Sequence, residues 1–304
     1  MSRASLSTRC LFAAWILVHV VALAPGFFAP FDPGAQQRER PFSAPESAPP
    51  GRVRLFAAGA PYRLFGAVET SVHLFGFAGG PVFLLGTDGL GRDQLSRLIH
   101  GAQVSLFAGL LAAAISISLG IALGLAAGYC GGWVDAVVMR ATELFLALPW
   151  LYLLIGVRAF LPLDIGPAQA FVLVAAVIGS IGWVRPGRLI RGVVLSARER
   201  DYVAAARGFG ASHVYLLSRH ILPQVWGAAL TQAALLIPQY VLAEAGLSFL
   251  GLGVAEPVPS LGNMLAALRQ YHVMGYWWMY APALALVPLF LLYQFLGDVL
   301  KKCP

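Results

Sequence analysis

Six long apolar runs govern what this chain can fold into: Leu11 to Phe28, Val104 to Tyr129, Val134 to Phe160, Ala168 to Val184, Val225 to Leu250 and Trp278 to Leu300. About twenty apolar residues form a helix long enough to cross a bilayer core. In lipid only helices and closed barrels satisfy every backbone polar group, and barrel strands would show as alternating segments of about ten residues. These runs are longer and continuous. They predict an all-α polytopic membrane protein with six transmembrane helices. Composition supports the same reading: charged residues are 12% of 304 and mean hydropathy is +0.74, against roughly 25% charged in soluble domains. So little charge cannot cover a water-facing body of this size. Disorder is excluded too, because disordered chains are rich in charge and poor in aromatics.

The net charge of +7 lies mostly between the apolar runs, which argues against nucleic-acid binding. Basic residues in short loops mark the cytoplasmic side. With alternating faces, one side holds Arg3, Arg9, Arg185, Arg188, Arg191, Arg198, Arg200, Arg207, Arg219, Lys301 and Lys302, whereas the opposite short loops hold only Arg269. Both termini are therefore expected in the cytoplasm. Trp277, Trp278 and Tyr280 would form an aromatic belt at the outer interface. Cys10, Cys130 and Cys303 fall near the reducing side without a disulfide or zinc pattern.

Three regions follow. Residues 1–29 form an N-terminal transmembrane helix, read as an uncleaved signal-anchor because Pro25 follows Ala22-Leu23-Ala24, although that triplet resembles a cleavage site. Residues 30–101 form an external region. Its proline-rich start, Asp32 to Pro50, predicts an extended linker, and stretches such as Tyr62 to Phe65 and Val82 to Leu85 could pair as short strands. Residues 102–304 form a core of five transmembrane helices with a cytoplasmic loop at 191–224.

Within the spans, Gly120, Gly124 and Gly128 recur every four residues and share one face, a device for close helix packing in lipid; the partner helix could belong to this chain or to another subunit. Pro149, Pro238, Pro282 and Pro288 mark kinks or helix ends. Glu143 follows Arg140 at helical ion-pair spacing. Arg158 and Asp164 fall at the outer boundary, where long side chains snorkel cheaply. Glu244 is the least explained ionisable group, and an intramembrane carboxylate is a functional candidate, here for the translocation pathway.

His19, His73, His100, His213, His220 and His272 are scattered without metal-binding spacing. There is no GxSxG elbow, and a GxxxxGK phosphate loop is impossible because the only lysines are 301 and 302. No catalytic, cofactor or metal site is expected.

The connection between the fourth and fifth runs is about forty residues, far beyond what a helix hairpin requires. Glu199-Arg200-Asp201 can start a helix that places Tyr202, Ala206 and Phe209 on one face. Gly210 can end it in a left-handed cap. Ser212 can cap a second helix holding Val214, Tyr215, Leu217 and Ile221, stopped before Pro223. Such a pair could lie on lipid headgroups or insert into a groove on a cytoplasmic partner. The small residues Ala204, Ala205, Ala206 and Gly208 favour the groove, since they allow close approach and offer little apolar area.

The stretch Asp201-Tyr202-Val203-Ala204-Ala205-Ala206-Arg207 to Gly210, then His220-Ile221-Leu222-Pro223, resembles the EAA loop of binding-protein-dependent ABC importer permeases. Other stretches are similar to the C-type subunit of dipeptide, oligopeptide and nickel permeases: Gly86-Thr87-Asp88 with Leu90-Gly91-Arg92-Asp93, Ser96-Arg97-Leu98, Ala127-Gly128-Tyr129 with Gly131 to Asp135, Ala243-Glu244-Ala245 with Leu247 to Gly253, Gly262-Asn263-Met264-Leu265, and Gly297-Asp298. They occur in family order.

The resemblance implies a type I (MetI-like) permease arrangement, and a transport subunit rather than an enzyme. It implies a homologous B-type permease subunit, two ABC ATPase subunits that bind the ATP, an external solute-binding protein and a lipid bilayer as partners. By the same resemblance, Glu199, Asp201, Tyr202, Ala205, Ala206, Arg207, Phe209, Gly210 and Pro223 would couple to the ATPases. One departure matters: Ala204 stands where the loop's glutamate normally stands. The rival reading is an ion-coupled secondary transporter or channel using Glu244, which the scarcity of intramembrane charge disfavours.

Overall fold

A computed structural model describes residues 6–47, 52–162, 164–269 and 275–302. Arg3, His272 and Cys303, named above, lie outside them. The chain forms α1 (Leu6–Leu23), α2 (Pro25–Phe28), β1 (Val53–Leu64), β2 (Val68–Phe77), α3 (Gln94–Cys130), α4 (Gly132–Ala147), α5 (Trp150–Ala159), α6 (Pro167–Gly182), α7 (Val184–Arg198), α8 (Asp201–Gly208), α9 (His213–Tyr215), a π-helical turn (Leu216–Ile221), α10 (Leu222–Phe249), α11 (Leu261–Ala266), 3₁₀ turns at Ala267–Arg269 and Trp277–Tyr280, and α12 (Ala281–Lys302).

Among the described residues, three continuous helical stretches are long and apolar enough to cross a membrane: 94–130, 213–249 and 277–300. Two bent pairs raise this to five if each is one span: α4 with α5, broken by 94°, and α6 with α7, bent by 43°. The expected third run is therefore not one straight helix. Proline drives the residue before it out of the helical region; Leu148 accordingly sits at φ −91°, ψ 139°, and Pro149 opens the next helix. Pro25 likewise separates α1 from α2.

The residues group into two compact units, 1–108 with 163–171 and 244–292, and 109–162 with 172–243 and 293–304. In the first, β1 and β2 pair antiparallel from Val53↔Phe77 to Leu64↔Val68, with an irregularity between Ala58 and Tyr62. Val82 to Leu85, expected as a possible strand, is irregular, and buries Val82 and Phe83 instead. The proline-rich linker is not free. Its backbone is tied by Gln37 N–H to Gly91 O, Phe42 N–H to Asp88 O and Glu46 N–H to Phe83 O, at 3.2, 3.0 and 2.9 Å.

The turn it embraces is built around Asp88, whose Oδ1 accepts from the N–H groups of Leu90 and Arg92, both at 2.9 Å. Gly91 adopts φ +73°, and a Cβ there would run into the Gln37 carbonyl, so only glycine fits. Asp93 then caps α3 by accepting from Ser96 N–H at 2.8 Å.

In the second unit the glycine stripe of α3 faces α7. A Cβ at Gly120 would lie 2.9 Å from Pro186 Cβ, at Gly124 2.7 Å from Gly187 O, and at Gly128 2.8 Å from Val194 Cβ. The stripe thus packs within this chain. Arg191 binds both carboxylate oxygens of Asp135 on α4, Oδ2 at 2.6 Å. Arg188 donates to Thr142 Oγ1 at 2.7 Å. Arg158, expected to snorkel, is instead 1% exposed and donates to the carbonyls of Leu161 and Pro162, at 3.4 and 3.1 Å.

Overpacking a filled contact costs about 1–3 kcal/mol. Gly124→Ala is expected to destabilise the purified chain by roughly that amount, whereas Gly192→Ala, with open space around it, should stay within about 0.5 kcal/mol. Reversible unfolding in mixed micelles checks both.

Candidate functional site: an exposed elbow between α7 and α10

The segment after α7 turns sharply. Arg200 is extended (ψ 141°), and α8 begins at Asp201, whose negative charge suits a helix N-terminus just as Arg207 suits the C-terminus. The helix then ends in a Schellman motif: Ala211 N–H bonds Ala206 O and Gly210 N–H bonds Arg207 O, with Gly210 at φ +83°. Ser212 accepts from Tyr215 N–H at 3.3 Å to start the next helix.

That helix does not stop before Pro223. It continues from His213 through the π turn into α10 as one stretch of 37 residues. Leu222 N–H bonds Leu217 O, five residues back. The wider π turn relieves the clash that a proline ring makes with the carbonyl four residues earlier. A helix end was expected here because proline usually breaks an ordinary α turn.

The elbow has a buried root and an apolar crest. Val203, Leu216 and Ile221 are fully buried. Ile221 joins a cluster with Ile190, Val194, Ala197 and Val225, flanked by Ile121, Leu125 and Leu217. Opposite the root, Phe209 is 92% and Val214 75% exposed, with Tyr202 and Tyr215 also outside.

An open depression of about 580 Å³ lies between them, lined by Ala206, Phe209, Gly210, Ser212, Tyr215 and His220. Thus Ala206, Phe209 and Gly210 of the expected coupling set come together. Glu199, Asp201, Ala205 and Arg207 are exposed around them, and Pro223, though exposed, does not line the depression. Tyr202 instead hydrogen-bonds Gln224. Ala204 is exposed. Val214 and His220 were missed as site residues; α-helical spacing places Val214 on the same face as Leu217 and Ile221, and the π turn at Leu216–Ile221 that sets them apart had no signal in the sequence.

Glu244 is fully buried within the first unit. Ser248 Oγ donates to its Oε1 at 2.6 Å and accepts from Val254 N–H at 3.1 Å, with Ser105 and Ser260 beside it. α10 ends in a second Schellman motif, Leu252 N–H to Leu247 O around Gly251 at φ +78°. Gly253 and Gly262 then bring the following loop against Ser248 and Ala245, where a Cβ would collide.

The loop is also held by charge. Glu256 accepts from Arg92 Nη1 and Arg97 Nη2, each at 2.7 Å, and Arg92 Nε reaches Asp88 at 2.7 Å. Burial pushes the Glu256 carboxyl up, but Arg97 and then Arg92 more than offset it, leaving its pKa below the ordinary glutamate value.

Residues 120–302 match the family described as binding-protein-dependent transport system inner membrane component. The chain is 35% identical over 94% of its length to a di/tripeptide transport system permease protein of Pseudomonas aeruginosa (strain UCBPP-PA14), covering 83% of that relative. It is 37% identical over 71% of its length to a dipeptide transport system permease protein of Bacillus subtilis (strain 168), covering 66% of it. It is 40% identical over 71% to an oligopeptide transport system permease protein of Salmonella typhimurium, covering 70% of it. Among solved structures, an amino acid ABC transporter with histidines superposes on 68% of this chain and 93% of its own, with a TM-score of 0.51 at 19% identity. That likeness concerns the fold alone.

A carboxyl whose pKa is depressed by folding contributes stability above its unfolded value, about 4.3 for glutamate. That contribution disappears as pH falls through the folded value. Amide exchange at Val254, corrected for intrinsic rate, is therefore expected to be flat from neutral pH to about pH 5 and to accelerate below about pH 4. In Glu256→Gln it should be faster at neutral pH and lack the acid step.

Proposed function

Because the chain belongs to the family of binding-protein-dependent transport system inner membrane components, we propose that it is one permease subunit of an ATP-driven importer of short peptides. It pairs with a homologous permease in the inner membrane, receives cargo from an external binding protein and couples to two ATPases on the arginine-rich side, where both termini lie. The peptide class rests on the names of the relatives, which are dipeptide, di/tripeptide and oligopeptide permeases.

The observation that carries the coupling role is the pairing of an exposed crest, Phe209 with Val214 and Tyr215, with a root buried on α3 and α7. A crest alone could swing freely. Here, force applied at Phe209 passes through Leu216 and Ile221 into the packed helices. Closure of the ATPases would push this elbow and rock the spans between outward-open and inward-open arrangements. With alanine at 204, the exposed carboxylates Glu199 and Asp201 supply the acidic contact. Glu244, enclosed by serines, serves as a fastener for the loop after α10 rather than a surface that cargo touches.

Reconstitution with the partner subunits tests the reading. Phe209→Asp places a charge in an apolar contact, and Gly210→Pro cannot adopt φ +83°. Each is expected to lower ATP-driven peptide uptake about tenfold or more, equivalent to roughly 1.4 kcal/mol of coupling, with unchanged membrane insertion. Uptake that survives both substitutions rules out the elbow as the docking element.

A further inference from the structure

The corner left by the α4–α5 break opens a cleft of about 280 Å³, lined by Phe145, Leu148, Trp150, Arg185, Gln239 and Tyr240 among others. The cleft lies at membrane depth when its helices are read as spans, which takes Arg185 out of the cytoplasmic group in which the charge pattern placed it. At 1.5 Å per residue, Arg185 is about 20 Å along α7 from Arg198, and Gln239 about 26 Å along α10 from Leu222. A hydrocarbon core is about 30 Å thick.

Arg185 is exposed there, and its hydrogen bond is to a neutral group, Gln239 Oε1 at 3.3 Å. Among the described residues, no carboxylate lines the cleft. Two neighbouring arginines have carboxylates, Arg191 with Asp135 and Arg140 with Glu143, while Arg188, like Arg185, has a neutral partner, the Thr142 hydroxyl. An unpaired guanidinium at this depth is costly unless it meets water or an anion.

The remaining walls are mainly apolar. The Trp150 and Tyr240 rings lie 6.0 Å apart. The Tyr240 hydroxyl is already engaged, with Ser116 at 2.8 Å and with Gly182 O at 3.2 Å. Gly182 is required at that contact, since a Cβ there would strike the hydroxyl. Tyr240 therefore presents a fixed ring, not a free donor.

We infer that this cleft is a subsite for the C-terminal end of a peptide in transit, its carboxylate held by Arg185 and its last side chain set against Trp150, Tyr240 and Phe145. A guanidinium matches a carboxylate as a two-pronged donor. The volume, near the low end of roughly 300–1,000 Å³ for ligand sites, suits the end of a peptide rather than a whole one. The inference rests on the importer reading above and adds which part of the cargo this chain recognises.

The test uses the full assembly, with partner permease, ATPases and binding protein, in proteoliposomes. Leu148→Cys is introduced with Cys10, Cys130 and Cys303 changed to serine, and its reaction with a water-soluble methanethiosulfonate is timed. The tripeptide Ala-Ala-Phe is expected to slow labelling about tenfold, within what a charge-assisted pair supplies, while its C-terminal amide should not. Arg185→Gln should abolish the protection, and Arg185→Lys should keep part of it.

Equal protection by acid and amide, or protection that survives Arg185→Gln, overturns the subsite. So does a thiol that never reacts, which would mean that the partner permease fills the cleft and answers Arg185 with its own acid. If these failures occur while the parent assembly still imports Ala-Ala-Phe, only the subsite falls. If that assembly imports nothing, the importer reading falls with it.

Discussion

Close backbone contact between α3 and α7 is the interaction on which the second unit depends. In lipid there is no gain from hiding apolar surface between helices, so association relies on close packing and specific polar contacts. Gly120, Gly124 and Gly128 provide the first by letting Pro186, Gly187, Ile190 and Val194 sit directly on the α3 backbone. Arg191 with Asp135 and Arg198 with Gly128 O provide the second on the same helix. The elbow inherits its rigidity from this contact, because Ile190, Val194 and Ala197 of α7 form the floor on which Ile221 and Val225 pack.

A second device recurs at two helix ends. Both α8 and α10 close in Schellman motifs with glycine in the left-handed region, and each redirects the chain where a side chain must be displayed or a loop must dock. After α8 the turn presents Phe209 to solvent. After α10 it folds the loop back so that Ser248 and Glu256 can be engaged, one by hydrogen bonds around Glu244 and the other by Arg92 and Arg97. Two motifs that looked alike in composition, both glycine-rich and hydrophobic, thus serve opposite ends: one exposes, the other encloses.

Much of the elbow could be read without coordinates. The start at Asp201, the glycine stop at Gly210 and the Ser212 cap are local decisions made by residues within a few positions of one another. Pro223 was misread because its usual effect holds for an α turn, and the π turn before it depends on how Leu216 and Ile221 seat in the core. The linker at 32–47 was misread for a similar reason. Proline and polar residues predict extended chain, but the hydrogen-bond partners that tie it down, at Phe83, Asp88 and Gly91, lie some forty to fifty residues ahead.

The sequence by itself determined that this chain resides in a membrane and where the connecting elbow turns, because these follow from hydropathy and short-range backbone preference; of its six apolar runs, three continuous stretches and two bent pairs are long enough to cross among the described residues. Only the tertiary structure decided that the glycine stripe faces α7 of the same chain, that Glu244 is enclosed by serines, and that Arg158 is buried while Arg185 stands open beside Tyr240. Those outcomes depend on which groups arrive at the same place from distant parts of the chain. A single residue's charge or size says what it will tolerate, and its neighbours in space decide whether it is matched.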